Sequence, residues 1–536
     1  MNYEDKLEEK VANMSREELE KFALENARSV QIYLEALRSL RNNKFKPSSE
    51  TSDSLQLSLF NELEDTIDHS SEEELKETIT YERKKKSNSK AMDISSLEVK
   101  EIHHRLKDLK CPVCKTKLKE LKSEVIDKLI YKPAEYYIER HIYHNYVCNN
   151  CSKEKDSLVT YKSEDNIARL VKGSIVSSSA IANIAYEKFI MGTPLYRQEA
   201  DLYRKKIYIS RQTMSNWLSL VSNDYLRFVF SEMHNDLKNQ EILHLDETTL
   251  TVLEDKKLED KDKSYIWLAL SNKYEEKKMA LYFYNHSREY AFLNEIIGED
   301  YKGYIQSDGY GAYQNRNFTN IACFAHVRRK FIDAYESSSL SSTYKKLQKD
   351  ERQEFLDSNP SFNNVIKAIS YIDQLFHLEN KEMSLEERAK LRKDKSTIIF
   401  NEFISFIESL KDSYAPKSKT AIAINYTLKL KDELANYLLD PRLEIDNNAA
   451  ERMIKPFVMA RKNFLFSNTK SGATTSAIYF SILESAKINN LNPYKYLVYL
   501  LDELSIKGIS SEVIKSLLPY SKSLPKQLYV NKKPAK

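Results

Sequence analysis

Glu451 lies in the segment Glu444–Asn463, which also carries Arg452, Lys455, Arg461 and Lys462. A carboxylate among cations suits a site that holds a metal ion and a phosphate together. Two aspartates upstream look like its partners. Asp246 closes the apolar-alternating run Ile242, Leu243, His244, Leu245, and Asp308 follows Gly303, Tyr304, Ile305, Gln306, Ser307. Both are therefore expected at strand ends, held rigidly and facing an open edge. Glu451 also fits a helix-capping box, three residues after Asn448, and the local pattern leaves both readings open. Glu247, next to Asp246, points to the opposite face of a continuing strand and is not counted as a ligand.

A second constellation is Cys111-Pro-Val-Cys114 with Cys148-Asn-Asn-Cys151. Four thiolates in two such knuckles close a tetrahedron around one structural Zn²⁺, against the alternative of four unrelated thiols. A metal with four sulfur ligands has no open position, so it supports folding and carries no catalysis. His103, His104, His141 and His144 are surplus to it, and Cys323, in an apolar strand-like run, is expected in the core.

A third pattern, Thr193–Leu218, has the form of a helix-turn-helix. Leu195–Lys206 would be the first helix, Ile207–Ile209 the turn, and Ser210 the cap of a second helix. Arg211, Gln212, Ser215 and Asn216 would then face bases or phosphates in a major groove. An ordinary helical pair has the same signature.

The elements that position these residues change character along the chain. Residues 16–41 read as one helix opened by a Ser15/Glu18 capping box. Leu19, Ala23, Asn26, Val30, Tyr33, Leu37 and Leu40 stand at heptad spacing, which suits a short coiled coil or a helix docked on its own chain. Residues 46–97, with the basic run Arg83–Lys86, read as a linker. Strands are expected at 242–246, 248–253, 265–270, 279–284, before Asp308, and at 321–326, with a helix at 290–297. Helical patterns at 362–379, 385–410 and 421–439 then fill the space before Glu451. This order suits a ribonuclease-H-like α/β layer with a helical domain between the second and third carboxylates.

Composition sets wider bounds. A chain of 536 residues should hold several domains. Its net charge of +4 with 30% charged residues leaves any nucleic-acid surface to local clustering. No apolar run reaches membrane-spanning length and the N-terminus is acidic, so a cytoplasmic protein without a membrane partner is expected.

The strings Leu195-Tyr-Arg-Gln198, His244-Leu-Asp-Glu-Thr248, Ser307-Asp-Gly-Tyr310, Ala325-His-Val-Arg-Arg-Lys-Phe331, Ile445-Asp-Asn-Asn448, Glu451-Arg452 and Arg461-Lys-Asn463 follow the cysteine knuckles in order. So do Ser471-Gly472, Glu484, Ala486, Lys487 and Asn492-Pro-Tyr494. Together they resemble transposases of the insertion-sequence family numbered sixty-six, from the N-terminal helix to about residue 505. The linker lacks the Gly- and Pro-rich basic form of that family, and the tail beyond Leu504 has no counterpart in it.

The resemblance implies a DDE transposase with Asp246, Asp308 and Glu451 as the triad holding two Mg²⁺ or Mn²⁺ ions. His326, Arg328, Arg329, Arg452, Lys455, Arg461 and Lys462 would steady carboxylates or neutralise phosphates, although a core histidine and surface ion pairs account for the same residue types. Partners would be the terminal inverted repeats of the element, target DNA, a second copy of the chain in a dimer or higher oligomer, and accessory proteins encoded by the same element. The implied organisation is a multidomain α/β chain. It comprises a coiled-coil helix (1–45), a linker (46–97), a zinc-ribbon-like unit (98–165) and a helix-turn-helix domain (166–235). A ribonuclease-H-like domain (236–332 and 441–510), interrupted by an all-helical insertion (333–440), and a tail (511–536) complete it. A non-catalytic DNA-binding regulator and a nuclease that does not join strands are the alternatives.

Overall fold

The computed structural model describes residues 11, 14–45, 136–142, 145–147, 160–162, 168–259, 263–309, 313, 317–379 and 382–530. Cys111, Cys114, Cys148 and Cys151 lie outside these residues, as do the linker with its basic run, His103, His104, His144 and residues 531–536.

Ser15 and Glu18 form the expected capping box, with Ser15 N–H on Glu18 Oε2 at 2.8 Å and Glu18 N–H on Ser15 Oγ at 3.4 Å. It opens helix α1, Arg16–Phe45, along which Leu19, Val30, Tyr33 and Leu37 are exposed. A separate antiparallel pair joins β1 (Asn145–Val147) to β2 (Thr160–Lys162), with Tyr146 opposite Tyr161.

Helices α2 (Ser178–Phe189), α3 (Leu195–Arg204) and α4 (Arg211–Val221) follow, and α4 runs on through a π turn at Ser222–Leu226 into α5 (Arg227–Lys238). The first helix of the expected pair is shorter than its sequence pattern. It stops at Arg204 because Lys206 takes a φ of 62°, a left-handed conformation that no helix continues. Ser210 then caps α4 by accepting the Thr213 N–H at 3.1 Å.

Five strands form the central sheet: β3 (Ile242–Leu250), β4 (Ser264–Ser271), β5 (Ala280–Asn285), β6 (Tyr304–Ser307) and β7 (Thr319–Ala322). Helix α6 (Leu253–Glu259) follows β3, and α7 (Tyr290–Ile297) follows β5. Their spatial order is β5-β4-β3-β6-β7, antiparallel from β5 to β3 and parallel from β3 to β7.

Three expectations change here. The runs 242–246 and 248–253 are one strand to Leu250, because Glu247 continues the ladder opposite Trp267. Asp246 thus lies within a strand and not at its end. The strand that stops is β6, whose pairing with β3 reaches only His244 opposite Gln306. Asp246 and Asp308 therefore both follow the end of the β3–β6 pairing. The run 321–326 divides, with β7 ending at Ala322 and α8 (Phe324–Ser337) starting two residues later.

Next come α9 (Ser341–Tyr344), α10 (Lys349–Asp357), α11 (Pro360–Glu379) and α12 (Leu385–Leu391). A π turn at Arg392–Ser396 joins α12 to α13 (Thr397–Ser409), followed by α14 (Lys419–Lys429) and α15 (Lys431–Ala435). The chain then returns through α16 (Asn448–Phe464), α17 (Lys470–Ile488), α18 (Pro493–Lys507) and α19 (Ser511–Leu517).

Strand alternation sends Leu243 and Leu245 into a core shared with α2, α4, α5 and α16–α19, and Ile242 into a second core with α8, α11, α13 and α14. Arg392 fastens the second body from within: its guanidinium pairs with Glu379 and donates to the carbonyls of Asp440 and Leu443. Edge strand β5 is sealed by α17. The hydroxyls of Ser481 and Ser485, one turn apart, accept the backbone N–H groups of Tyr282 and Ala280 at 2.8 and 3.0 Å. Among the described residues no helix is long and apolar enough to cross a membrane.

Candidate active site

The third carboxylate reaches the sheet because the segment before it is laced to β3, β6 and the start of α8. Gln306 donates to the carbonyls of Glu444 and Asp446 at 2.7 and 3.2 Å and accepts the Glu444 N–H at 3.0 Å. Asn447, 2% exposed, donates to Leu245 O at 2.8 Å, meets His244 Nδ1 at 3.1 Å, and directs its N–H to Cys323 Sγ at 3.2 Å. The Phe324 N–H bonds Ile445 O at 3.1 Å. These contacts fix where α16 begins. Asn447 is its N-cap residue, with Asn448 already inside the helix and bonded to Asp446. The capping reading of Glu451 therefore fails, and its carboxylate turns to His326 Nε2 at 3.8 Å and Arg329 at 3.7 Å.

Asp308 is held through its backbone. Tyr426 of α14 donates to Asp308 O at 2.8 Å. Gly309 has a φ of +80°, and a Cβ there would stand 2.6 Å from Leu430 Cδ1, so the turn after Asp308 requires glycine. Arg288, just past β5, reaches to 3.9 Å from Asp308 Oδ2.

The three carboxylates act on one another. Burial, then Glu247, Asp308 and Glu451, push the Asp246 carboxyl up to about 8. Burial first, with Arg329 after it, holds His326 below the usual imidazole range. Glu451 Oε1 is buried without a hydrogen-bond donor among the described residues. Hard oxygen ligands that crowd one another, with Glu451 Oε1 left without a donor, favour a hard divalent cation. Cys323, His326 and Glu451 also bring ligand atoms within 4.8 Å of one another, but burial pushes the thiol up to about 12, away from the thiolate form.

The other expected site residues divide. Arg329 stands at the site, while Arg452 and Lys462 are exposed and Lys455 half-buried along α16. Arg328 stands apart from the exposed cations expected to meet phosphate: it is 6% exposed and its Nε bonds Asp373 of α11 at 2.6 Å, which braces the two helices. Arg461 is turned inward too, its Nη1 donating to Thr248 Oγ1 at 3.2 Å and Thr249 Oγ1 at 3.0 Å, which ties α16 to β3. On α4, Arg211, Gln212 and Asn216 are exposed and Ser215 half-buried, opposite the buried Met214, Leu218 and Val221. Gln212 Nε2 bonds Asn216 Oδ1 at 3.0 Å, and Glu199 of α3 accepts the Arg211 N–H at 3.0 Å. Sequence reading missed Asn447, Gln306, Arg288 and Tyr426. The available signal was a polar residue at a core-facing strand position, as at His244 and Gln306, because such a group is retained where a hydrogen-bond partner meets it.

Comparison with known proteins adds to this geometry. Residues 173–475 match the profile of the transposase IS66 family and residues 108–152 the zinc-finger binding domain of transposase IS66; residues 481–520 match the IS66 C-terminal element, which corrects the expectation that the likeness ends near Leu504. Two uncharacterized proteins of Sinorhizobium fredii are similar. One, y4qI, is 28% identical over 66% of this chain and 64% of its own length, so the match spans just under two thirds of that relative. The other, y4jD, is 25% identical over 77% of this chain and 78% of its own. Among solved structures, the Drosophila P element transposase strand transfer complex aligns with 58% of this chain and 92% of its own, at 12% identity and a TM-score of 0.33. The first profile takes in the whole sheet, both aspartates, the intervening helices and Glu451, more than half of the sequence, and the chain belongs to the IS66 family of transposases.

Proposed function

We propose that this transposase is a DDE enzyme that cuts the ends of its element by metal-dependent phosphodiester hydrolysis and joins the freed 3′-hydroxyls to target DNA. The reading rests on one observation above others. Asp246, Asp308 and Glu451, far apart in sequence, lie near enough that Asp308 and Glu451 both add to the upward push that burial first, and Glu247 after it, give the Asp246 carboxyl. The strand order supports a ribonuclease-H-like layer, with α9–α15 as a helical insertion between the second and third carboxylates.

The three carboxylates would hold two Mg²⁺ or Mn²⁺ ions, which Glu451 Oε1, lacking a donor, and the crowded Asp246 both fit. Such ions activate the attacking oxygen and stabilise the leaving one in an in-line displacement. The chain's own residues do the rest. Gln306 and Asn447 hold the Glu451 turn against the sheet, and Tyr426 with Gly309 sets the Asp308 backbone. Arg329, beside Glu451, and the exposed Arg452 and Lys462 would neutralise DNA phosphates. In the first step water attacks the phosphorus and a 3′-hydroxyl leaves; in the second, that hydroxyl attacks a target phosphodiester at the same site, its oxygen bonding the phosphorus while the target's own 3′-oxygen leaves with the proton.

End recognition falls to α4, through Arg211, Gln212, Ser215 and Asn216, and to the zinc-finger region, where Cys111, Cys114, Cys148 and Cys151 would hold one Zn²⁺. The exposed heptad face of α1 suits pairing with a second copy, since two ends must be brought together. The protein would act in the bacterial cytoplasm, on the nucleoid, with accessory proteins of the element as further partners.

The test is DNA bearing both element ends, incubated with the protein and Mg²⁺ or Mn²⁺. Cleaved and joined products are expected, reduced by about three orders of magnitude or more in Glu451→Gln while end binding stays. Cleavage without joining would make the chain a nuclease. Binding without cleavage in either protein, even with accessory proteins added, would make it a regulator.

A further inference from the structure

Glu247, next to Asp246 in sequence, has no part in the mechanism above, yet it is held more tightly than any of the three site carboxylates. Its side chain is 2% exposed on the opposite face of β3. Oε1 accepts from Arg288 Nε at 2.5 Å and also from Nη2, and Oε2 accepts from Tyr313 Oη at 2.8 Å. The same guanidinium, one third exposed, stands 3.9 Å from Asp308 Oδ2. One cation is thus shared unequally between two carboxylates, bonded to the first and just beyond bonding distance of the second.

We infer that Glu247 is a positioning residue acting through Arg288: by tying the guanidinium to the far face of β3 it sets how much positive charge reaches Asp308, and so how tightly the site binds a divalent cation. The inference rests on the reading of Asp308 as a metal ligand. A unit cation within 4 Å of a ligand carboxylate competes with the metal for it, and the competition is strong where water is partly excluded. Tyr313 occupies Oε2 and orients the carboxylate so that Oε1 meets Arg288. With Glu247 neutralised, the half-buried guanidinium still needs an anion, and Asp308 is already beside it. With Arg288 neutralised, Asp308 loses its competitor. Substitutions in one ion pair should therefore move metal affinity in opposite directions. A pair that served only packing would leave affinity unchanged or lower it both ways.

The experiment measures Mn²⁺ binding to the full-length, zinc-loaded protein without DNA, from the free-Mn²⁺ electron paramagnetic resonance signal. Arg288→Gln is expected to tighten binding about threefold or more, and Glu247→Gln to weaken it about tenfold or more. The double variant Glu247→Gln with Arg288→Gln should return to within about threefold of the parent. Asp308→Asn separates the two readings. Unchanged Mn²⁺ affinity in Asp308→Asn would show that Asp308 is no ligand, and the inference would fall with that reading. Weakened binding in Asp308→Asn beside no tightening in Arg288→Gln would overturn the role of Glu247 alone. Should either single variant fail to fold, as judged by thermal melting, the double variant, which leaves neither the cation nor the buried Glu247 carboxylate unpaired, is read against the single variant that folds.

Discussion

Asp246 is the residue at which the proposed chemistry and the stability of the protein pull against each other. Its carboxyl is pushed up to about 8 by burial and by three neighbouring carboxylates, from an ordinary value near 4 in the unfolded chain. The folded protein therefore binds this proton more tightly than the unfolded one. The contribution to stability is full below the unfolded value and is lost as pH rises towards about 8. Without added divalent ions, Asp246→Asn should melt about 1–4 °C higher than the parent near pH 8 and lose that advantage below about pH 4. Adding Mg²⁺ should raise the parent and leave the variant where it was. Thermal melts across pH test this, and equal melting of the two proteins at every pH would mean that the carboxylates do not crowd one another. Asn447 teaches the complementary lesson. It belongs to the string Ile445-Asp-Asn-Asn448, but its work, joining Leu245, His244 and Cys323, depends on contacts across separations of 202, 203 and 124 residues that no local pattern records.

Helix α16 owes its position to Arg461 as well as to Asn447. From residue type alone Arg461 read as a phosphate contact, yet its guanidinium is spent on Thr248 and Thr249 of β3. Arg461→Ala should cost about 1–3 kcal/mol of stability in denaturant melts, since charged hydrogen bonds are lost. Arg211→Ala, on the exposed face of α4, should leave stability alone and remove about 1–3 kcal/mol of binding to element ends. Reversed effects would exchange the two roles. This contrast marks how far the sequence could be read. Helix existence was legible where apolar spacing or capping was strong, as in α1, α4, α7 and α11. Strand limits were not, because the ladder opposite Trp267, not the local pattern, decides that β3 continues through Glu247 to Leu250. Which arginines face outward was equally hidden: Arg328 and Arg329 are neighbours on α8, yet one is buried on Asp373 and the other stands by Glu451.

At the scale of the whole molecule, two cores flank one sheet, and their buried residues run from Leu170 to Leu528. That body has its own reasons to fold, and none of the described side chains of α1 is buried in either core. The exposed Leu19, Val30, Tyr33 and Leu37 recur at heptad spacing, so the helix leaves an apolar seam in water that a second copy would cover. A transposase must hold two element ends while strands are exchanged, and the exposed side of α1, whose helix also lies against α8, can join two chains. Charging this seam with Val30→Asp and Leu37→Asp should therefore halve the mass measured by sedimentation, from dimer to monomer, while the melting temperature of the body stays within about 2 °C. Joining of paired ends should fall with the dimer, whereas hydrolysis of a single end continues. An unchanged mass with a lowered melting temperature would instead mean that the seam residues serve the contact of α1 with α8, and the pairing of ends would then have to come from other surfaces of the body.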